Sequence, residues 1–169
     1  QGKDIGSSRF DEETFDVAKE LLDLGKEKFI LPSDLIVANE FSNDAETKTV
    51  SADEIPSDFM ALDIGPESTE SYKNILKDAK TILWAGPLGV FEMESFAKST
   101  KDIGEFLGTL DATKIAGGGD TGAAIATFNL KGNMTHVSTG GGASLEFIEK
   151  QGKLPALVAL EQAAESKKE

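Results

Sequence analysis

Two runs of three glycines, each placed just after a short segment predicted to be a strand, constrain this chain more than any other feature. The runs lie at 117–119 and 140–142, and a helix-forming segment follows each. Glycine has no Cβ, so the backbone can approach a ligand closely with its N–H groups. A helix beginning just after such a turn presents unpaired N–H groups and the positive end of its dipole. One triplet alone is ordinary at a turn, whereas the pair favours phosphate binding.

Short apolar segments alternate with helical patterns along the chain. The segments predict strands at 34–38, 59–64, 81–84, 113–116 and 134–138. Helical spacing predicts helices at 11–24, 67–79, 96–107, 123–128, 143–150 and 154–169, while polar residues 43–56 predict a loop or edge excursion. Continuous apolar strands are typical of a parallel sheet covered on both faces. The predicted fold class is α/β, a doubly wound, Rossmann-like parallel sheet, in which ligands bind beyond the carboxyl ends of the strands.

Charge and composition exclude several kinds of protein. The 169 residues include 17 basic and 30 acidic side chains, for a net charge of −13, which argues against a nucleic-acid partner. No apolar run approaches the roughly 18 residues of a membrane span, so no membrane partner is expected. The chain has no cysteine and a single histidine, which excludes a disulfide framework and a His-rich zinc site. A cytoplasmic location is favoured, and the absence of an initial Met indicates a fragment or a processed product.

Asp120 directly follows the first glycine triplet. A carboxylate beside a phosphate cradle would repel the ligand unless a cation lies between them. Mg²⁺ bound through one carboxylate and the phosphate oxygens of a nucleotide would remove that conflict. Alternatively, Asp120 or Thr121 could simply cap the helix that follows, and residue type leaves both interpretations open. Neither triplet matches the standard P-loop or dinucleotide patterns.

Glu92 lies just past the third predicted strand. At that edge of a sheet, a carboxylate could accept hydrogen bonds from the hydroxyls of a ribose. A surface glutamate at the start of a helix is also commonplace, so Glu92 by itself is weak evidence. The neighbouring Leu88 and Val90 are expected to be core or pocket wall.

Four motifs resemble successive signatures of the phosphoglycerate kinase family, in family order and at family spacing. They are LDIGP at 62–66, WAGPLGVFE at 84–92, GGGDT at 117–121 and HVSTGGGASLE at 136–146. The similarity extends to about Leu160 and matches the later part of the C-terminal, nucleotide-binding domain. Residues 1–169 are therefore expected to form part of that domain, without its first strands and without the N-terminal domain.

The resemblance implies reversible phosphoryl transfer in glycolysis, between 1,3-bisphosphoglycerate and ADP, giving 3-phosphoglycerate and ATP. It implies a phosphotransferase with a carboxyl group as acceptor, with Mg²⁺ and ATP or ADP bound together. The 3-phosphoglycerate would be held only with the missing N-terminal domain, and the full-length protein is expected to be a monomer. This chain would contribute the Mg-nucleotide side and be inactive alone.

The resemblance also implies roles for individual residues. Glu92 would hold the ribose, Asp120 would bind Mg²⁺, and Gly140 and Gly141 would offer N–H groups to the phosphoryl group during transfer. The adenine pocket would be walled by Gly65, Leu88, Gly89 and Val90, and the nucleotide phosphates would be cradled by Gly118, Gly119 and Thr121. The chain departs from the family pattern at Ala85, where the family has Asn. The alternative is therefore a non-catalytic or engineered α/β module with a relic nucleotide site.

Overall fold

The computed structural model describes residues 3–25 and 27–166, which form two compact units. The first unit takes its residues from Gln1–Asp78 and Pro87–Phe106, and the second from Ala79–Gly86 and Leu107–Glu169. In chain order, the helices are α1 (Phe15–Leu24), α2 (Pro66–Leu76), α3 (Lys98–Gly108), α4 (Gly119–Thr127), α5 (Gly141–Glu149) and α6 (Pro155–Glu165). The strands are β1 (Asp34–Ala38), β2 (Thr47–Ser51), β3 (Met60–Ile64), β4 (Thr81–Trp84), β5 (Thr113–Gly117) and β6 (His136–Ser138).

All five predicted strands are present, and the second unit confirms the predicted fold class. Its sheet has the order β4-β5-β6 with both pairings parallel. Helices α4 and α5 follow β5 and β6 and both contact β5. The predicted final helix ends at Glu165, and its predicted residues 167–169 lie outside the described part of the chain. None of the helices among the described residues combines the length and the apolar character that a membrane span requires.

The first unit differs from the prediction of one parallel sheet. Its strands have the order β2-β1-β3, and β1 is antiparallel to both neighbours. The connection from β1 to β2 is only residues 39–46, whereas a parallel pair needs a crossover of a dozen or more residues. Strand β2 lies in the segment predicted as a loop or edge excursion, and most of its residues are exposed. The other strands were predicted from runs of apolar residues. A polar edge strand such as β2 has no such run and was therefore not predicted as a strand.

Burial on both faces explains why β1 has the sequence of a parallel strand. Successive side chains of a strand point to opposite faces. Val37 belongs to a core cluster with Ile55 and Phe59, whereas Ala38 packs with Leu62 and Phe96. The continuous apolar run therefore indicates two covered faces, which an antiparallel central strand can have as well as a parallel one.

Candidate functional site

The two glycine turns lie side by side at the carboxyl edge of the parallel sheet in the second unit. Strands β5 and β6 are paired up to Gly117 and Ser138, so the turns that follow them start as neighbours. The Gly118 N–H donates to the Ser138 carbonyl oxygen, with the nitrogen and oxygen 3.2 Å apart. Each turn leads directly into a helix, α4 after the first and α5 after the second.

Both turns need glycine for structural reasons. Gly118 has φ of 116°, in the left-handed region that strongly favours glycine. At Gly141, an added Cβ would lie 2.8 Å from the Cα of Gly118 and 3.3 Å from its nitrogen. The two turns therefore pack backbone against backbone. Glycine here does more than mark the end of a strand, because it brings two helix N-termini together.

The first turns of α4 and α5 hold N–H groups that no hydrogen bond within either helix can use. The first intrahelical bonds are from Gly122 to the Gly118 carbonyl and from Ser144 to the Gly140 carbonyl. The preceding N–H groups are left without intrahelical acceptors, and together with the helix dipole they favour an anion. These groups belong to Gly119, Asp120 and Thr121 in α4, and to Gly141, Gly142 and Ala143 in α5.

Two of the predicted donors already have hydrogen-bond partners. The Gly118 N–H is bound to the Ser138 carbonyl, and the Gly140 N–H donates to the Ser138 hydroxyl at 3.2 Å. The Ser144 hydroxyl donates to the Gly140 carbonyl at 2.6 Å, which further fixes this turn. A ligand contact from Gly118 or Gly140 would have to exchange with these bonds. Gly119 and Gly141 therefore provide the more available donors.

Thr121 holds the first turn of α4 from inside the unit. Its side chain is 1% exposed, and its hydroxyl accepts the Gly86 N–H at 2.7 Å and donates to the Gly117 carbonyl at 3.0 Å. The hydroxyl hydrogen is thus already engaged, and only the Thr121 N–H remains for a ligand. The sequence analysis named Thr121 as a phosphate-binding residue, but a strand-to-helix pattern does not show which of its groups is already occupied.

Asp120 is exposed on the first turn of α4, and no hydrogen bond or ion pair of its carboxylate is present among the described residues. The N-cap residue of α4 is Gly118, which has no side-chain capping bond. The alternative that Asp120 or Thr121 caps this helix is therefore wrong. The carboxylate is left accessible beside the N–H groups.

The protein groups around Asp120 fit a magnesium ion that takes most of its ligands from elsewhere. Across residues 3–25 and 27–166, no group of three or more His, Cys, Asp or Glu side chains could hold a metal. Mg²⁺ commonly binds through one or two carboxylates and completes its octahedron with phosphate oxygens and water. One accessible carboxylate beside an anion-binding turn matches that pattern. It does not match a closed zinc or calcium site.

The segment 87–92 belongs to the first unit, and hydrogen bonds donated by its backbone N–H groups hold it in place. The Val90 N–H donates to the Leu62 carbonyl at 2.9 Å. The N–H groups of Leu88 and Gly89 donate to the Thr100 hydroxyl at 3.0 and 3.3 Å. Three consecutive amides are thus held by β3 and α3. The side chain of Glu92, just beyond them, is exposed.

Two buried carboxylates support this unit, and sequence reasoning assigned neither a role. Asp34, 6% exposed, lies against Gly65 and accepts the N–H groups of Glu67 at 3.1 Å and Ser68 at 2.7 Å. Asp63, 4% exposed, accepts the N–H and hydroxyl of Ser99 at the start of α3. Each carboxylate therefore satisfies donors at a helix N-terminus. The only sequence signal is an acidic residue within an apolar strand.

Opposite shifts in pKa distinguish the two carboxyl groups. Burial opposes ionisation of Asp34, but the hydrogen bonds from Ser68 and Glu67 outweigh it and lower the pKa of Asp34. Burial dominates at Asp63 and raises its pKa, although the hydrogen bonds from Ser99 and Ile64 act against this. Asp34 is therefore stabilised as a carboxylate, whereas Asp63 bears a cost for its charge.

The fold and the paired turns define a Rossmann-like α/β domain, and comparison with known proteins places it in a family. Residues 1–151 match the family described as phosphoglycerate kinase. A phosphoglycerate kinase from Limosilactobacillus reuteri is 52% identical over 161 residues, which are 95% of this chain and 40% of the relative. The chain belongs to the phosphoglycerate kinase family.

Solved structures show the same relationship. The structure of phosphoglycerate kinase from Coxiella burnetii has a TM-score of 0.88 and 40% identity, covering 98% of this chain and 43% of that one. For the phosphoglycerate kinase from Pyrococcus horikoshii the TM-score is 0.77 and the identity 32%, with 90% of this chain and 37% of the other covered. The chain thus spans about 40% of the length of the curated relatives that it matches.

Proposed function

We propose that this chain supplies the Mg-nucleotide side of a phosphoglycerate kinase and is inactive by itself. The observation that carries the proposal is the pair of glycine turns, which brings the free N–H groups of two helix N-termini to one edge of a sheet. In the reaction, a phosphoryl group leaves the acyl phosphate of 1,3-bisphosphoglycerate and bonds to a terminal oxygen of ADP. Such transfer depends mainly on positioning and on preorganised donors for the charge.

Each residue has a role in this proposal. Gly119 and Thr121 offer N–H groups to the nucleotide phosphates, with Gly118 setting the turn. Gly140 and Gly141 face the phosphoryl group in transfer, and of these Gly141 has the free N–H. Glu92 accepts hydrogen bonds from the ribose, while Gly65, Leu88, Gly89 and Val90 wall the adenine pocket.

Asp120 is proposed to hold Mg²⁺ together with the phosphate oxygens. The ion, when bound, neutralises negative charge that would otherwise repel this carboxylate. The protein's own contribution is the position of the carboxylate, one residue into α4 and beside the N–H groups of its first turn. Because the site offers one carboxylate, metal and nucleotide are expected to bind together.

Charge supports the absence of a 3-phosphoglycerate site from this chain. A doubly anionic sugar acid needs clustered basic side chains, usually Arg, which bind phosphate and carboxylate in a bidentate manner. This chain has a net charge of −13 and one arginine, Arg9. The proposal therefore leaves 3-phosphoglycerate to the part of the family protein that this chain does not span. We also propose that the chain is located in the cytoplasm.

Replacing Asp120 with alanine should weaken binding of Mg-ADP by about tenfold, because the metal loses its protein ligand. Isothermal titration of the whole chain with Mg-ADP and with ADP plus EDTA measures this. The wild-type chain should prefer Mg-ADP, and the Asp120→Ala variant should lose that preference. Asp111→Ala is a matched control, because it removes the same charge from another exposed position of the second unit. Equal affinities of the wild-type chain and Asp120→Ala for Mg-ADP would contradict the proposed role of Asp120.

Catalysis is expected when the part of a family member that this chain does not span is supplied. We expect ATP formation from 1,3-bisphosphoglycerate and ADP when this chain is mixed with the remaining part of the Limosilactobacillus reuteri relative, and none from either part alone. The Asp120→Ala chain, mixed in the same way, should be much slower. If the two parts form a complex without turnover, the alternative of a non-catalytic module is favoured, and Ala85 in place of the family Asn would be the first position to examine.

A further inference from the structure

The hydroxyl of Thr100 occupies an unusual position in the first turn of α3. The side chain is 0% exposed, and its oxygen accepts two consecutive backbone N–H groups, from Leu88 at 3.0 Å and from Gly89 at 3.3 Å. A buried hydroxyl of this kind has no contact with solvent and cannot reach a ligand directly. Its bonds instead join a helix to an irregular segment of the chain.

Hydrogen bonds rather than regular secondary structure shape that segment, residues 87–92, and one of them joins the Phe91 N–H to the Gly89 carbonyl at 2.9 Å. It contains no helix or strand between the end of β4 at Trp84 and the short 3-10 helix at Glu94–Phe96. The next amide, that of Val90, is held separately by the Leu62 carbonyl at 2.9 Å. Thr100 therefore fixes the two residues before Val90, and β3 fixes Val90 itself. Loss of the Thr100 oxygen would leave the Leu88 and Gly89 N–H groups unpaired. These two residues would then no longer be held against α3.

We propose that Thr100 is a positioning residue that sets the affinity of the chain for the adenosine part of a nucleotide by fixing Leu88 and Gly89. The inference rests on the proposed function, in which Leu88, Gly89 and Val90 wall the adenine pocket. Thr100 contacts no ligand and takes no part in phosphate binding. Its removal should therefore weaken ligands that contain adenosine and leave bare polyphosphates unaffected.

Threonine and serine should be interchangeable at this position, whereas valine should not replace them. Valine has nearly the same shape but offers no acceptor, so two N–H groups would lose their partner. Serine keeps the acceptor and loses only a methyl group. Rescue by serine thus separates the hydrogen bonds from the packing of the side chain.

The test measures the affinities of the wild-type chain, Thr100→Val and Thr100→Ser for Mg-ADP and for Mg-tripolyphosphate by isothermal titration. We expect Thr100→Val to bind Mg-ADP about tenfold more weakly and Mg-tripolyphosphate within about twofold of wild type. Thr100→Ser should bind both ligands nearly as the wild-type chain does. Unchanged Mg-ADP affinity in Thr100→Val, or an equal loss for both ligands, would overturn the inference.

The same titrations separate this inference from the proposed function. If the wild-type chain binds neither ligand, the nucleotide site itself is rejected and the role of Thr100 with it. If it binds both with equal affinity, the adenine pocket is rejected while the phosphate turns are retained.

If Thr100→Val does not fold, a measurement on the wild-type chain still tests the inference. Amide hydrogen exchange should show the N–H groups of Leu88 and Gly89 to be protected by at least about a hundredfold relative to unstructured peptide. Exchange of both at unprotected rates would show that Thr100 does not hold the segment. Thr100→Ser should preserve the protection, which ties it to the oxygen.

Discussion

Replacing Gly141 with alanine should force the two glycine turns apart and weaken binding of Mg-ADP by at least about tenfold. The new Cβ would lie 2.8 Å from the Cα of Gly118, closer than two carbon atoms can approach without a shift of backbone. Neither atom is at the end of a flexible side chain, so one helix N-terminus must move relative to the other. Overpacking of this kind typically lowers the free energy of unfolding by about 1–3 kcal/mol.

Gly142→Ala is the matched control for this prediction. It lies one residue further along α5, and an added Cβ there would meet no atom within 4 Å. Alanine is favoured over glycine in a helix by about 0.5–1 kcal/mol, so this variant should be as stable as the wild-type chain or slightly more so. Titration with Mg-ADP and chemical denaturation of both variants measure the two effects. If Gly141→Ala were as stable and bound as tightly as Gly142→Ala, the close packing of the turns would be irrelevant to the site.

The sequence predicted the positions of five strands correctly, but it did not predict the direction in which the strands of the first unit pair. All five apolar segments are strands, because burial demands apolar side chains whichever way the neighbours run. The direction of pairing in the first unit depends on the length of the connection after Ala38 and on β2, which lies in the predicted edge excursion. Apolar patterning cannot report on a polar edge strand, and so it could not show that β1 is the centre of an antiparallel sheet.

For the candidate site, the sequence predicted the turns but not the state of their individual groups. The glycine triplets and Asp120 were visible as a pattern. The engagement of Gly118, Gly140 and Thr121 with Ser138 and Gly86 depends on which strands are neighbours. Thr100 gave no signal, because a threonine in the first turn of a helix is unremarkable until the chain that crosses it is known.

Asp34 should contribute strongly to the stability of the first unit. Its carboxylate accepts N–H groups of Glu67 and Ser68 and the Ser68 hydroxyl, all at the start of α2. Asp34→Asn should lower the free energy of unfolding by about 2–3 kcal/mol near neutral pH, because an amide oxygen can replace only part of these bonds and its NH₂ group opposes a donor. Denaturant titrations of the wild-type chain and the variant measure the difference.

The pH dependence of that difference tests the cause, with Asp63→Asn as the counterpart. Since the pKa of Asp34 is lower in the folded chain than its ordinary 3.8, the advantage of aspartate over asparagine is complete above that value and is lost as the pH falls through the folded-state pKa. The pKa of Asp63 is raised, so its aspartate is most favourable below 3.8 and becomes less so as the pH rises through the higher folded-state pKa. As the pH rises, the stability of the wild-type chain relative to Asp34→Asn should therefore increase below 3.8, whereas its stability relative to Asp63→Asn should decrease above 3.8. Parallel changes would mean that burial, rather than hydrogen bonding at the start of α2, governs Asp34 as it does Asp63.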